Sequence, residues 1–209
     1  MRKIKKFKVA VHLKEILRRV KLANIDTAAA GFSTDKDLAV FIAGLHGALQ
    51  PGVVYEFIEG SCMELSAAGV AHNDMFSVCV LTLGDKIERE VGALHEAAPA
   101  SAANIVMYEF LRTAVTFAAD LIKDDAEKEG YETEGYEILS SPVFSYVPEP
   151  KFLREAARVD AQTAKKALGP LFERLNAQKI NVAFDGNIVK PKATVAFIMP
   201  WRKKKGKKR

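Results

Sequence analysis

The chain has 209 residues, 49% apolar and 27% charged, which suits one soluble globular domain and excludes disordered and fibrous classes. The formal charge is +5, yet residues 1–8 carry five bases and no acid, and residues 202–209 carry seven bases and no acid. Residues 9–201 then hold 19 bases against 26 acids, a net −7, so the expectation is a mildly acidic single domain over 9–201 with basic, flexible ends, and a body poorly suited to nucleic acid.

In chain order, Leu13, Ile16, Leu17 and Val20 recur at helical spacing, with Lys14, Arg18 and Lys21 outside that stripe, which predicts an amphipathic helix over 11–22. Ala29-Ala30-Gly31 breaks the pattern. Thr34 then caps an apolar helix over 38–49, with Asp35 and Asp37 in its first turn, where the helix dipole favours acids. Pro51-Gly52 ends it. Val53–Ile58 reads as a strand, Ser61–Gly69 stays ambiguous between strand and helix, and Ser77–Leu83 is the clearest buried strand. Asp85 opens a helix to about His95, which Pro99 stops. A long helix follows over 101–128, with Ile105, Tyr108, Leu111, Val115, Ala118, Leu121 and Ile122 on its apolar face and Gly130 as its stop. Residues 130–150 hold two Gly, three Pro and three Tyr without a period, the pattern of a functional or mobile loop. Helix resumes over 151–168, Gly169-Pro170 breaks it, and 171–177 adds a turn or two. Residues 180–184 and 194–199 then form a hairpin around Asp185-Gly186, with Pro191 limiting the second arm. Helices at both ends and few strands argue for an α+β fold.

The chemistry-bearing motifs are few. No Gly-x-Gly-x-x-Gly, no P-loop and no Gly-x-Ser-x-Gly is present. The four histidines and two cysteines, Cys62 and Cys79, show no paired ligand spacing, so neither zinc nor a disulfide framework is expected. No apolar run reaches the ~18 residues of a membrane span, and Lys14, Glu15, Arg18 and Arg19 interrupt any signal-peptide core; a cytoplasmic protein is the expectation. At Thr82-Leu83-Gly84-Asp85 a strand ends on a glycine and a helix begins, so free backbone N–H groups can face an anion or a ligand carboxylate. The plainer alternative is that Gly84 only lets the chain turn. Asp120, near the apolar face of the long helix, is placed either to hold a ligand's ammonium group or simply in solvent. In the 130–150 loop, Tyr136, Phe144 and Tyr146 can stack on a heterocycle while Ser140, Ser141 and Ser145 hydrogen-bond it; equally, the loop can pin itself by burying its rings.

Five stretches carry a resemblance: Val80-Leu81-Thr82-Leu83-Gly84-Asp85-Lys86-Ile87-Glu88, then Phe117-Ala118-Ala119-Asp120, then Ser141-Pro142-Val143-Phe144, closed by Ile180-Asn181-Val182 and Lys190-Pro191-Lys192-Ala193-Thr194-Val195. Over roughly residues 10–200 the chain resembles the activation (reactivation) domain of cobalamin-dependent methionine synthase, particularly its short stand-alone relatives. The resemblance implies an α+β single domain with a twisted antiparallel sheet flanked by helices. It further implies binding of S-adenosylmethionine at Gly84, Asp120, Pro142, Val143, Phe144, Ser145 and Tyr146, in support of reductive remethylation of a cobalamin carried by a partner corrinoid protein or methyltransferase. No catalytic residue is implied in this chain, because the cobalamin does the difficult chemistry.

The sequence departs from that family where the ligand loop carries Pro-Gly-Tyr with an arginine shortly before it. Here Pro142-Val143-Phe144 stands instead, with a neighbour such as Leu139 in the arginine's place. Losing the glycine removes a close backbone approach, and losing the arginine removes the fork that grips a carboxylate. A degenerate form of the site is therefore an alternative to an intact one. A separate reading is a non-enzymatic interaction protein that docks an acidic partner or nucleic acid through its basic tails, with salt-sensitive affinity.

Overall fold

The computed structural model describes residues 1–59, 75–145 and 147–204. In chain order the strands are β1 (Arg2–Lys5), β2 (Gly52–Glu59), β3 (Met75–Thr82), β4 (Tyr131–Thr133), β5 (Glu137–Ser140), β6 (Ala157–Arg158), β7 (Ala183–Phe184), β8 (Val189–Lys190) and β9 (Thr194–Lys203). The helices are α1 (Leu13–Leu22), α2 (Asp35–Gly47), α3 (Asp85–Gly92), α4 (Ala97–Lys128), α5 (Lys151–Arg154) and α6 (Ala161–Arg174), with a 3-10 turn at Ala177–Ile180. Ser61–Gly69, Cys62 and Tyr146 lie outside the described residues.

The main sheet runs β1-β2-β3-β9-β5-β6, with β4 also paired to β9. Its pairs are antiparallel except β5 with β6, which is parallel. The fold is thus α+β with one open mixed sheet, not a purely antiparallel one. Strand alternation sorts the core into two layers. Tyr55, Cys79, Leu81, Val195, Phe197 and Ile138 face a layer built from α1 to α4. Val54, Val78, Val80, Ala196, Ile198 and Leu139 face α6 and the 3-10 turn. Covering both faces explains why β3 reads as a continuous apolar run. Trp201 closes the first layer, its indole Nε1 donating to Ser77 Oγ at 3.0 Å.

The long helix α4 is the spine of the larger layer. Every residue from Ala102 to Leu111 is buried, Asn104 and Glu109 included. A fully buried side chain such as Leu111 contributes about 1.5–3 kcal/mol, and Glu109 is held by Arg112 at 2.9 Å and by Arg19 of α1 at 2.8 Å. Its charge is thereby compensated on both sides, although only Oε2 is hydrogen-bonded, by Arg112, and Oε1 has the Arg19 ion pair without a hydrogen bond. At α2 the expected cap is present as a reciprocal box. Asp37 N donates to Thr34 Oγ1 at 3.3 Å, and Thr34 N donates to Asp37 Oδ2 at 2.8 Å.

Several expectations change. Residues 2–5 are not a flexible end but the edge strand β1, with Lys3 opposite Val54 and Ile4 opposite Val53; backbone pairing orders them although their charge argues for solvent. At the other terminus Arg202 and Lys203 belong to β9, opposite Glu132 and Tyr131, and Arg202 pairs with Glu134. The folded body therefore runs from 2 to 203 rather than 9 to 201. Pro99 does not stop a helix. It sits in the first turn of α4, where no N–H is needed.

Within 130–150, residues 131–133 and 137–140 are strands on β9; strands this short show no period, and their partner lies some sixty residues away in sequence. The helix expected over 151–168 is instead the short α5, the two-residue β6, and then α6, capped by Asp160 Oδ1 accepting from Gln162 N and Thr163 N at 3.1 and 3.0 Å. Gly169-Pro170 lies inside α6, which continues because Leu168, Leu171 and Phe172 are buried in the second layer: packing overrides propensity. The Asp185-Gly186 turn joins β7 to β8 in a small ribbon, while 194–203 enters the centre of the main sheet between β3 and β5.

Candidate functional site

A cleft of about 490 Å³ opens where the start of α3, the buried half of α4 and the loop at 143–145 meet. Asp85, Glu88 and Arg89 line it from α3, Asn104 and Met107 from α4, Val143, Phe144 and Ser145 from the loop, and Lys192 from the approach to β9.

Gly84 is next to this cleft without lining it. Its φ of 90° and ψ of 169° lie in a region closed to side chains. A Cβ there would stand 2.6 Å from Gln50 Cβ and 2.9 Å from Gln50 O. Its amide donates to Thr82 Oγ1 at 3.0 Å, while Gln50 N donates to Leu83 O at 2.8 Å. The glycine is therefore demanded by backbone approach, and its own N–H is already used. The first turn of α3 carries Asp85 and Glu88, so negative charge already occupies the end where an anion would otherwise gather.

The loop is fixed from below by two side chains of α4. Tyr108 Oη donates to Pro142 O at 3.4 Å and accepts from Phe144 N at 3.2 Å. Asn104 Nδ2 donates to Ser145 O at 2.7 Å. The Phe144 ring packs on Tyr108 with centroids 4.7 Å apart and is 7% exposed, so it serves chiefly as an anchor. Val143, by contrast, is 82% exposed and stands at the mouth. Burial pushes the Tyr108 phenol up, which keeps its proton available to Pro142 O. At the base of the loop Glu149 accepts from Ser141 Oγ at 3.2 Å and pairs with Arg158 of β6.

The structure thus brings Val143, Phe144 and Ser145 together with Asp85, places Pro142 beneath them as a buried support, and leaves Gly84 one residue outside. Asp120 does not join them: it is exposed and lies 13 residues beyond Met107 on α4, about 20 Å along the axis. Tyr136 packs elsewhere, with its ring 5.5 Å from Phe197 and its hydroxyl donating to Phe152 O at 3.4 Å. Asn104, Tyr108, Arg89 and Lys192 also belong to the site although none is marked as a ligand residue by the sequence: Tyr108 reads there only as part of the long helix's apolar face and Lys192 only as part of a resemblance stretch. Asn104 had a signal, since a polar residue inside Ala102-Ala103-Asn104-Ile105-Val106-Met107 needs a partner when buried. Lys192 is brought in only by the fold, its backbone N donating to Glu88 Oε2 at 2.7 Å.

The charged lining is balanced. Arg89 lies 3.3 Å from Asp85, and Glu88 is tied to the Lys192 backbone, leaving carboxylate, guanidinium and ammonium groups around an apolar floor of Val91, Met107 and Phe144. Among the described residues no group of His, Cys, Asp and Glu is arranged to hold a metal ion, Cys79 is a buried free thiol whose pKa burial raises, and no helix is long and apolar enough to cross a membrane. The chain matches no protein-family model and no curated protein.

Proposed function

We propose that this chain is an accessory, ligand-binding domain of a corrinoid-dependent methyltransferase, and that the cleft between α3 and the 143–145 loop receives S-adenosylmethionine. The observation that carries this reading is the cleft itself. It joins Asp85 and Glu88 to Val143 and Phe144, which belong to two of the stretches on which the resemblance to the methionine synthase activation domain rests, and its about 490 Å³ falls in the size range of small-molecule sites. S-adenosylmethionine carries a sulfonium, an ammonium and a carboxylate. Asp85 and Glu88 suit the two cationic centres, Arg89 and the Lys192 ammonium suit the carboxylate, and the exposed Val143 offers an apolar face to the adenine.

The bound molecule would supply an electrophilic methyl group to a cobalamin on the partner. This chain's residues bind and orient; none is assigned a catalytic role. With Arg89 already paired to Asp85 and valine in place of the family's glycine, the affinity expected is modest.

Calorimetry with S-adenosylmethionine, alone and with a corrinoid protein, tests the reading. Heat of binding that disappears in Asp85→Asn/Glu88→Gln supports it. No heat and no thermal shift in either mixture overturns it.

A further inference from the structure

A second cleft, of about 420 Å³, lies at the end of the sheet where the chain leaves β1. It shares no lining residue with the first. Its apolar wall is made by Leu49, Pro51 and Ile180, and its basic rim by Lys5, Lys6 and Lys8. Lys3 and Lys179 stand close by: the Lys3 ammonium is held below the ordinary lysine range by loss of solvent and by the charges of Lys5 and Lys179. Many of the protein's other cations have acids beside them, as Arg2 has Asp125 at 2.8 Å and Lys21 has Asp35 at 3.1 Å. Among the described residues no acid pairs with Lys3, Lys5, Lys6, Lys8 or Lys179.

Lysine on an edge strand is a common guard against strand pairing, and that accounts for Lys3 and Lys5. It does not account for Lys6 and Lys8, which follow the strand, or for Lys179, which comes from the 3-10 turn packed against the start of β2. The concavity is also constructed. Gly52 lets that turn approach closely, since a Cβ there would stand 2.9 Å from Ile180 Cβ. Lys6 is turned by a φ of 59° while its amide donates to Pro51 O at 2.9 Å. On the other side His46 Nε2 lies 3.0 Å from Val9 O, fixing the segment that carries Lys8.

We propose that this cleft binds a small phosphorylated ligand with an apolar or heterocyclic moiety, of about mononucleotide size. The unpaired ammonium groups supply the attraction for phosphate, and the Leu49–Pro51–Ile180 wall supplies the contact for the uncharged part. A concave site favours a small ligand over a flat polyanion surface.

Adenosine diphosphate is the probe, with adenosine, inorganic pyrophosphate and a single-stranded oligonucleotide as comparison arms. Binding of the diphosphate at low salt is expected, tighter than either half alone. It should weaken by roughly tenfold or more in Lys5→Gln/Lys8→Gln, whose melting temperature should be unchanged because both side chains are exposed, and it should weaken as salt screens the rim. S-adenosylmethionine binding in that variant should match the parent. The proposal is overturned if the diphosphate does not bind, if the double variant binds it equally well, if pyrophosphate binds as tightly as the diphosphate, or if only the oligonucleotide binds.

Discussion

Gly84→Ala is the perturbation whose outcome the structure specifies most closely. Two costs add. The backbone at φ 90° and ψ 169° is a region open essentially to glycine alone, and holding alanine there costs about 1–3 kcal/mol. The new methyl would meet Gln50 Cβ at 2.6 Å and Gln50 O at 2.9 Å; one of these is backbone, so the strain is relieved only by moving the chain, at a further ~1–3 kcal/mol. The midpoint is about 4 kcal/mol, which for a domain of this length lowers Tm by roughly 8–16 °C. Urea unfolding followed by the fluorescence of Trp201, the single tryptophan, reads this directly. Gly47→Ala is the control: a methyl there meets nothing within 4 Å and, at the last position of α2, should be neutral or stabilising by up to ~1 kcal/mol. A loss below about 1 kcal/mol at Gly84 would refute the close-approach argument, and unchanged stability with lost ligand binding would make Gly84 a binding residue after all.

Tyr108→Phe removes the hydroxyl that bridges Pro142 O and Phe144 N, leaving a buried amide unpaired at a cost of ~1–3 kcal/mol. Hydrogen exchange at the Phe144 amide should accelerate and S-adenosylmethionine should bind more weakly; unchanged exchange contradicts the clamp. Glu15 is held down to about 2 by hydrogen bonds from Arg18 and Arg19. A depressed carboxylate stabilises the fold above its unfolded pKa, and this contribution is lost as pH falls from about 4.5 toward about 2. Because the group is partly exposed and its partners lie at the surface, solvent screening keeps the effect small. Melting curves of Glu15→Gln should show a slightly shallower acid limb than the parent, and an identical limb would remove Glu15 from the account.

What the sequence made legible was local. The Thr34 cap, the strand at β3, the apolar face of α4 and the stop at Gly130 each rest on neighbours a few residues apart, and each is present in the fold. What it hid was decided at long range. β4 and β5 are strands because β9 lies beside them, α6 runs through Gly169-Pro170 because the second layer holds its apolar side, and β1 is ordered by β2 despite its charge. The site divides in the same way. Val143, Phe144 and Ser145 were visible as an irregular aromatic stretch, while Asn104, Tyr108 and Lys192 acquire their roles only when distant segments meet. The charge that marks the ends of the chain is likewise reassigned: at the N-terminus it belongs to a strand and the rim of a cleft.

The central claim is tested most directly by amide chemical-shift mapping of the isotopically labelled protein during titration with S-adenosylmethionine. The account predicts saturable shifts at Asp85, Asn104, Val143, Phe144 and Ser145, with none at Lys5 or Lys8. An absence of shifts at saturating ligand, or shifts confined to residues away from the α3 cleft, would contradict it.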